Sequence, residues 1–231
     1  MLKRLAVVSL LASELVACGS SVPRQPPGEP PSPNSVSIAD PGGDAHDPHF
    51  AALSRELEQE WGLRNDKDDQ LYLPLPDAAH WKRVRYWGVQ HFTGFRYGDE
   101  HHVITIALLQ DVDQNAPHNS KLCMRRFEAW ARPQVSGYDV KLGPFGRKAS
   151  EWKGQHIDIH FVDGHFDSGF SRTHFSAAWA AYAAYPDACL IYAMAVPWGE
   201  HGELAKKVRD RFVEEAFERV EPRTEQRPYR K

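Results

Sequence analysis

Seven of the chain's 17 prolines fall between Gly19 and His46, whereas all seven of its tryptophans fall between Trp61 and Trp198. This partition limits where a fold can form. Pro23, Pro26, Pro27, Pro30, Pro31, Pro33 and Pro41, with Ser and Gly around them, leave little apolar surface to offset the entropy of ordering the backbone. Prolines also hold such a segment extended, so at ~3.1 Å per residue it can reach ~85 Å. The packed body must come from the residues after His46. By length and aromatic content, residues 47–222 are expected to form a single globular domain, and the basic, polar residues 223–231 a frayed tail.

Ahead of the proline-rich stretch, Lys3 and Arg4 precede a short apolar run, Leu5 to Leu11. That run is too short to span a bilayer. Leu15-Val16-Ala17-Cys18 comes next, with Glu14 breaking the apolar pattern just before it. These residues resemble the lipobox of bacterial lipoprotein precursors. The resemblance implies a signal peptide over residues 1–17, removed by signal peptidase II, and a lipidated Cys18 carrying diacylglycerol and palmitate. Residues 18–46 then become a disordered linker between membrane and body. Gly19, where enterobacterial sorting would need Asp for retention, implies the outer membrane, with the body facing the periplasm.

Without residues 1–17 the chain keeps 26 basic against 30 acidic side chains, with the signs interspersed. That balance argues against nucleic acid and against a polybasic membrane surface. The expected partners are the membrane, through the N-terminal lipid, and an envelope protein. Once Cys18 is lipidated, Cys123 and Cys189 remain, and an even pair in an oxidising compartment is expected to form a disulfide. No CxxC or Cys/His zinc pattern is present, and no cofactor motif.

The body opens with an expected helix. Asp47 can cap it, Phe50, Leu53, Leu57 and Trp61 recur at helical spacing, and Gly62 ends it. Two strand-like runs come after it, Trp81–Phe95 and His102–Val112, joined by Arg96-Tyr97-Gly98-Asp99-Glu100 in a hairpin. Ser120–Ala131 reads as a second helix with Cys123, Phe127 and Trp130 on one face and Pro133 beyond it. Tyr138–Leu142 is a short strand, and Gln155–Val162 alternates polar and apolar residues up to an Asp163-Gly164 turn. The alanines of Thr173–Tyr185 suit a helix, yet Pro186-Asp187 looks like a tight turn into a central strand, Cys189–Val196, which favours a strand pair. A closing helix spans Glu200–Val220, with Leu204, Val208, Phe212, Ala216 and Val220 as its apolar stripe.

The resulting class is α+β, an antiparallel sheet packed by two or three helices. The order of elements over residues 80–222 resembles the Mog1/PsbP-like group of α-β-α domains found in exported lipoproteins. That resemblance implies a binding or assembly accessory, and it carries over no catalytic residue.

The one pattern with the donors for chemistry is His156-Ile157-Asp158-Ile159-His160. On a strand, His156, Asp158 and His160 point to one face at ~6.5–7 Å intervals, with Ile157, Ile159 and Phe161 on the other. Two imidazoles and a carboxylate are ligands that zinc or iron accepts. The alternative is a solvated face opposite core residues. His165 and His174 flank Ser168 and Ser171 without a nucleophile elbow, and His101-His102 sits in the hairpin turn. The aromatics Trp81, Tyr86, Trp87, Phe92, Phe95 and Tyr97 could line a groove, although core packing is the commoner use. The sequence thus points to a non-enzymatic envelope lipoprotein, the other reading being a periplasmic metal-dependent hydrolase.

Overall fold

A computed structural model describes residues 61–64, 71–84, 92–97, 103–111, 119–131, 139–167, 172–186, 188–198 and 202–222. Cys18, the tether, the tail and most of the first expected helix lie outside them. The described residues form an α+β fold. In chain order come β1 (Trp61–Arg64), β2 (Leu71–Pro76), β3 (Lys82–Val84), β4 (Phe92–Tyr97), β5 (Val103–Asp111), α1 (Ser120–Ala131) and β6 (Asp139–Trp152). The chain continues through β7 (Gln155–Asp167), β8 (Arg172–Tyr185), β9 (Ala188–Trp198), α2 (Gly202–Glu215) and β10 (Glu221–Pro222). One sheet has the order β3-β4-β5-β9-β8-β7-β6, antiparallel throughout, and a smaller one the order β1-β2-β10.

Strand alternation divides the large sheet into two faces. On one, Ile157, Ile159, Ala178, Ala180, Tyr182, Leu190 and Tyr192 meet Val208, Phe212, Ala216 and Phe217 from α2 and the turn after it. Leu73, Leu75, Trp81 and Phe95 close this core from the N-terminal side, with Trp61 and Trp81 set edge-on to Phe212. Two of its buried polar tips are paired: Trp152 Nε1 donates to the Val220 carbonyl at 2.8 Å, and the Tyr182 hydroxyl to the Phe217 carbonyl at 2.8 Å. On the other face α1 lies across β7, β8 and β9, burying Cys123, Met124 and Phe127.

Several elements differ from expectation for identifiable reasons. Trp61 and Gly62 belong to β1, paired with Pro76 and Leu75, rather than ending a helix. The run Trp81–Phe95 is two antiparallel strands, with Val84 opposite Gly94, so the chain reverses between them. Arg96 and Tyr97 extend β4 instead of opening the turn to β5.

The strand expected at Tyr138–Leu142 is the start of a 14-residue β6. A bulge between Leu142 and Phe145 absorbs Gly143 and Pro144. Strand β6 ends the sheet order among the described residues, where a proline lacking an N–H costs the ladder little. Asp163-Gly164 is not a turn, because β7 runs through it to Asp167. The glycine serves close approach: a Cβ there would lie 2.7 Å from the Lys141 carbonyl oxygen. The turn into β7, from β6, is Lys153-Gly154, both at positive φ (49° and 76°), as a two-residue hairpin loop of type I′ requires.

Thr173–Tyr185 lies in strand β8. Its alanines are helix formers, but in the middle of a sheet covered on both faces small side chains let the helices approach, and tertiary packing overrides propensity. The closing helix stops at Glu215, yet Ala216 and Val220 stay buried in the turn and extended segment beyond it.

Candidate functional site

Helix α1 begins at a cap that sequence reasoning passed over. Asn119 accepts the Leu122 N–H through Oδ1 at 3.0 Å, and its carbonyl accepts the Cys123 N–H at 3.0 Å. Ser120 then fixes the helix start against the sheet, its hydroxyl donating to the His156 carbonyl at 2.5 Å. One turn on, a disulfide joins Cys123 of α1 to Cys189 of β9, with Cα atoms 5.3 Å apart. Both cysteines are fully buried. The helix is therefore held at its first turn by two ties to two different strands.

Between α1 and the outer half of the sheet lies a groove of about 630 Å³ whose walls include Arg125 and Glu128 from the helix and Arg147 and Asp158 from the sheet. It adjoins a second hollow of about 730 Å³ bounded by Gln155, His156 and the β8–β9 corner. Ser120 and Lys121 border both. Ala181 lines the first beside Met124 and His160, and Ala183 and Ala184 line the second. Larger side chains at these β8 positions would fill the space.

His156, Asp158 and His160 share the face toward this groove, but their bonds separate them. Asp158 Oδ1 accepts Arg147 Nε at 2.7 Å, with Nη2 at 2.6 Å, so β6 holds the carboxylate from the neighbouring strand. His156 leans on the same oxygen at 3.4 Å with its ring mostly exposed. His160 turns the other way. Its side chain is only 13% exposed, Nδ1 lies 4.0 Å from Glu128 Oε1 on α1, and its ring meets Trp179 edge-on at 5.7 Å. Among the described residues no group of three or more His, Cys, Asp or Glu is placed to hold a metal ion.

The contributions of Arg147 and Glu128 were missed from sequence. Arg147 lies where no strand was expected, and Glu128 comes from an element 32 residues away from His160. The signal available was the registration of a long β6 beside β7, which places Arg147 opposite His160.

A second polar cluster lies on the α2 face. Arg209, 8% exposed in its side chain, donates to Asp163 and pairs with Asp210 at 2.8 Å, its guanidinium 5.2 Å from the Phe161 ring centre. The Ser176 hydroxyl donates to the same Asp163 carboxylate at 2.7 Å. Farther along the ladder His165 and His174 face each other across β7 and β8, ring centres 5.3 Å apart. Burial holds His174 below the ordinary histidine range, helped by the neighbouring His165 and Arg172. The hydrogen bond and charge of Arg172 hold Asp167 below the usual carboxylate range. Trp81, Phe95 and Tyr97 are core residues; Tyr86, Trp87, His101, His102, Ser168 and Ser171 lie outside the described residues.

No protein-family model matches the sequence, and no curated protein matches it. Among solved structures, the chain is similar to LpqN of Mycobacterium tuberculosis, a protein involved in cell envelope biogenesis. The identity is 13%, over 71% of this chain and 91% of that one, with a TM-score of 0.37. It is also similar to a protein of unknown function from Pseudomonas aeruginosa, at 15% identity over 59% of this chain and 83% of that one, with a TM-score of 0.29. At these TM-scores neither likeness bears on what this chain does.

Proposed function

We propose that the chain is a lipid-anchored protein of the bacterial envelope whose head binds a partner rather than turning over a substrate. In this reading residues 1–17 direct export, Cys18 carries the lipid at the outer membrane, residues 18–46 are the tether, and residues 47–222 are the head. The observation that carries the binding role is the groove beside α1. It is open, and its sheet-side Asp158 is engaged by Arg147 and His156, while His160 lies 4.0 Å from Glu128 of α1. A surface with that make-up offers shape and charge to a partner, while its carboxylates are occupied in holding the walls.

Site-specific photocrosslinking in envelope membranes tests the reading. A photoreactive residue at Gln155, in the hollow that adjoins the groove, is expected to give one dominant crosslinked species. The same residue at Lys207, exposed on α2, is expected to give none. Equal crosslinking from both positions contradicts the reading, as does stoichiometric zinc or iron in native protein that is lost, together with a hydrolytic activity, on replacing His156, Asp158 and His160.

A further inference from the structure

The charges along the groove do not cancel. Its two carboxylates each have a basic neighbour: Asp158 is held by Arg147, and Glu128 faces His160. On the α1 rim, which also carries Glu128, Lys121 and Arg125, one helical turn apart and both exposed, border the groove. No ion pair links either of them to an acidic side chain among the described residues. Residues four apart on a helix project in one direction, so the two cations form a short row along one wall. The opposite wall is the Arg147–Asp158 pair, and Met124, His160 and Ala181 line the groove between them.

From this arrangement we infer that the groove takes an acidic peptide segment, with side-chain carboxylates set against Lys121 and Arg125. The inference rests on the binding role proposed above and names the partner's chemistry. Two cations spaced a helical turn apart suit carboxylates carried along a chain better than one compact anion. Arginine adds a planar fork that can engage a carboxylate through two N–H groups. Long-range attraction to such a rim raises the association rate and weakens as salt screens it. Arg147 is the third cation on the groove wall, so a peptide carboxylate entering beside Asp158 would share its guanidinium.

The test uses the full lipidated chain in phosphatidylcholine nanodiscs and a fluorescent hexaglutamate peptide followed by anisotropy. Wild-type protein is expected to bind it, and the Lys121→Glu/Arg125→Glu variant about tenfold more weakly. Lys207→Glu is expected to leave binding unchanged. Both groove cations are exposed, and an unchanged thermal midpoint in the double variant confirms that the head is folded. Equal affinity of wild type and double variant overturns the inference. So does displacement of the peptide by inorganic phosphate, which would make this a simple anion site, or by phosphatidylglycerol vesicles, which would make it a lipid-facing surface.

The Gln155 crosslink, repeated in the double variant, separates the two levels of the proposal. Crosslinking that persists there at full yield leaves the binding role standing and removes the acidic-peptide assignment. Absence of any crosslink in wild type removes both.

Discussion

At the scale of single residues, the molecule places its titratable groups in two different kinds of surroundings. On the groove side imidazoles and carboxylates lie beside opposite charges. On the α2 side His165 and His174 face each other, and burial keeps His174 neutral more readily than in a free chain. The sign of the consequence is set by linkage. A histidine whose folded pKa lies below its unfolded value of 6.5 binds its proton more readily in the unfolded chain. Its contribution to stability is fully present above that value and is lost as the pH falls through it toward the lower folded value. Urea midpoints measured from about pH 8 down to about pH 5 should therefore fall, and should fall less steeply in His174→Gln. A parallel decline in the two proteins contradicts the assignment. Asp167, held low by Arg172, acts in a separate window, because its contribution is lost only as the pH falls below the unfolded carboxylate value of 3.8.

At the scale of elements, what could be read from the sequence depended on whether the deciding interaction was local. Helix α1 was legible to the residue, because its apolar spacing and the Pro133 beyond it are written within one stretch. Strand β9 and the buried stripe of α2 were legible for the same reason. The errors fall where distant packing decides. Asp163-Gly164 carries a strong turn signal, yet Asp163 is kept in the ladder by Arg209 and Ser176, and Gly164 by the nearby backbone of β6. Gly143-Pro144 marks a strand end by local rules, yet a strand on the end of a sheet order tolerates both in a bulge. The alternation of His156, Asp158 and His160 was readable. The groove was not, since it depends on where α1 crosses and on Arg147 from the unexpected half of β6.

The placement of α1 gives the prediction at this scale. The Cys123–Cys189 bridge spans 66 residues of sequence, and closing a loop of that size stabilises by about 4 kcal/mol in the chain-entropy model. Replacing both cysteines by serine should lower stability by that order. Because the bridge ties the first turn of α1 to β9, amide exchange should accelerate most in α1 and its junction with β9. Uniform acceleration across β7, β8 and β9 would mean that the helix does not depend on the bridge for its position.

At the scale of the whole molecule, the sequence sets a proline-rich stretch, poor in apolar residues, apart from a part built around cores on opposite faces of one long sheet. The proposed use of the first is to let the second reach away from its own lipid. Lipidation itself is checked by mass spectrometry of the mature N-terminus. Wild-type protein is expected to begin at an acylated Cys18, and Cys18→Ser to remain unprocessed and without acyl chains. A wild-type N-terminus free of acyl groups removes the anchor from the account. The central claim, a tethered head that works by binding through the groove beside α1, is tested most directly by crosslinking yield in intact cells. A photoreactive residue at Gln155 would be placed in the full chain and in a chain lacking residues 19–46. The account predicts a strong crosslink in the first and a large loss in the second, with the thermal midpoint of the head unchanged. An equal yield from both, or no groove crosslink at all in the full chain, would contradict it.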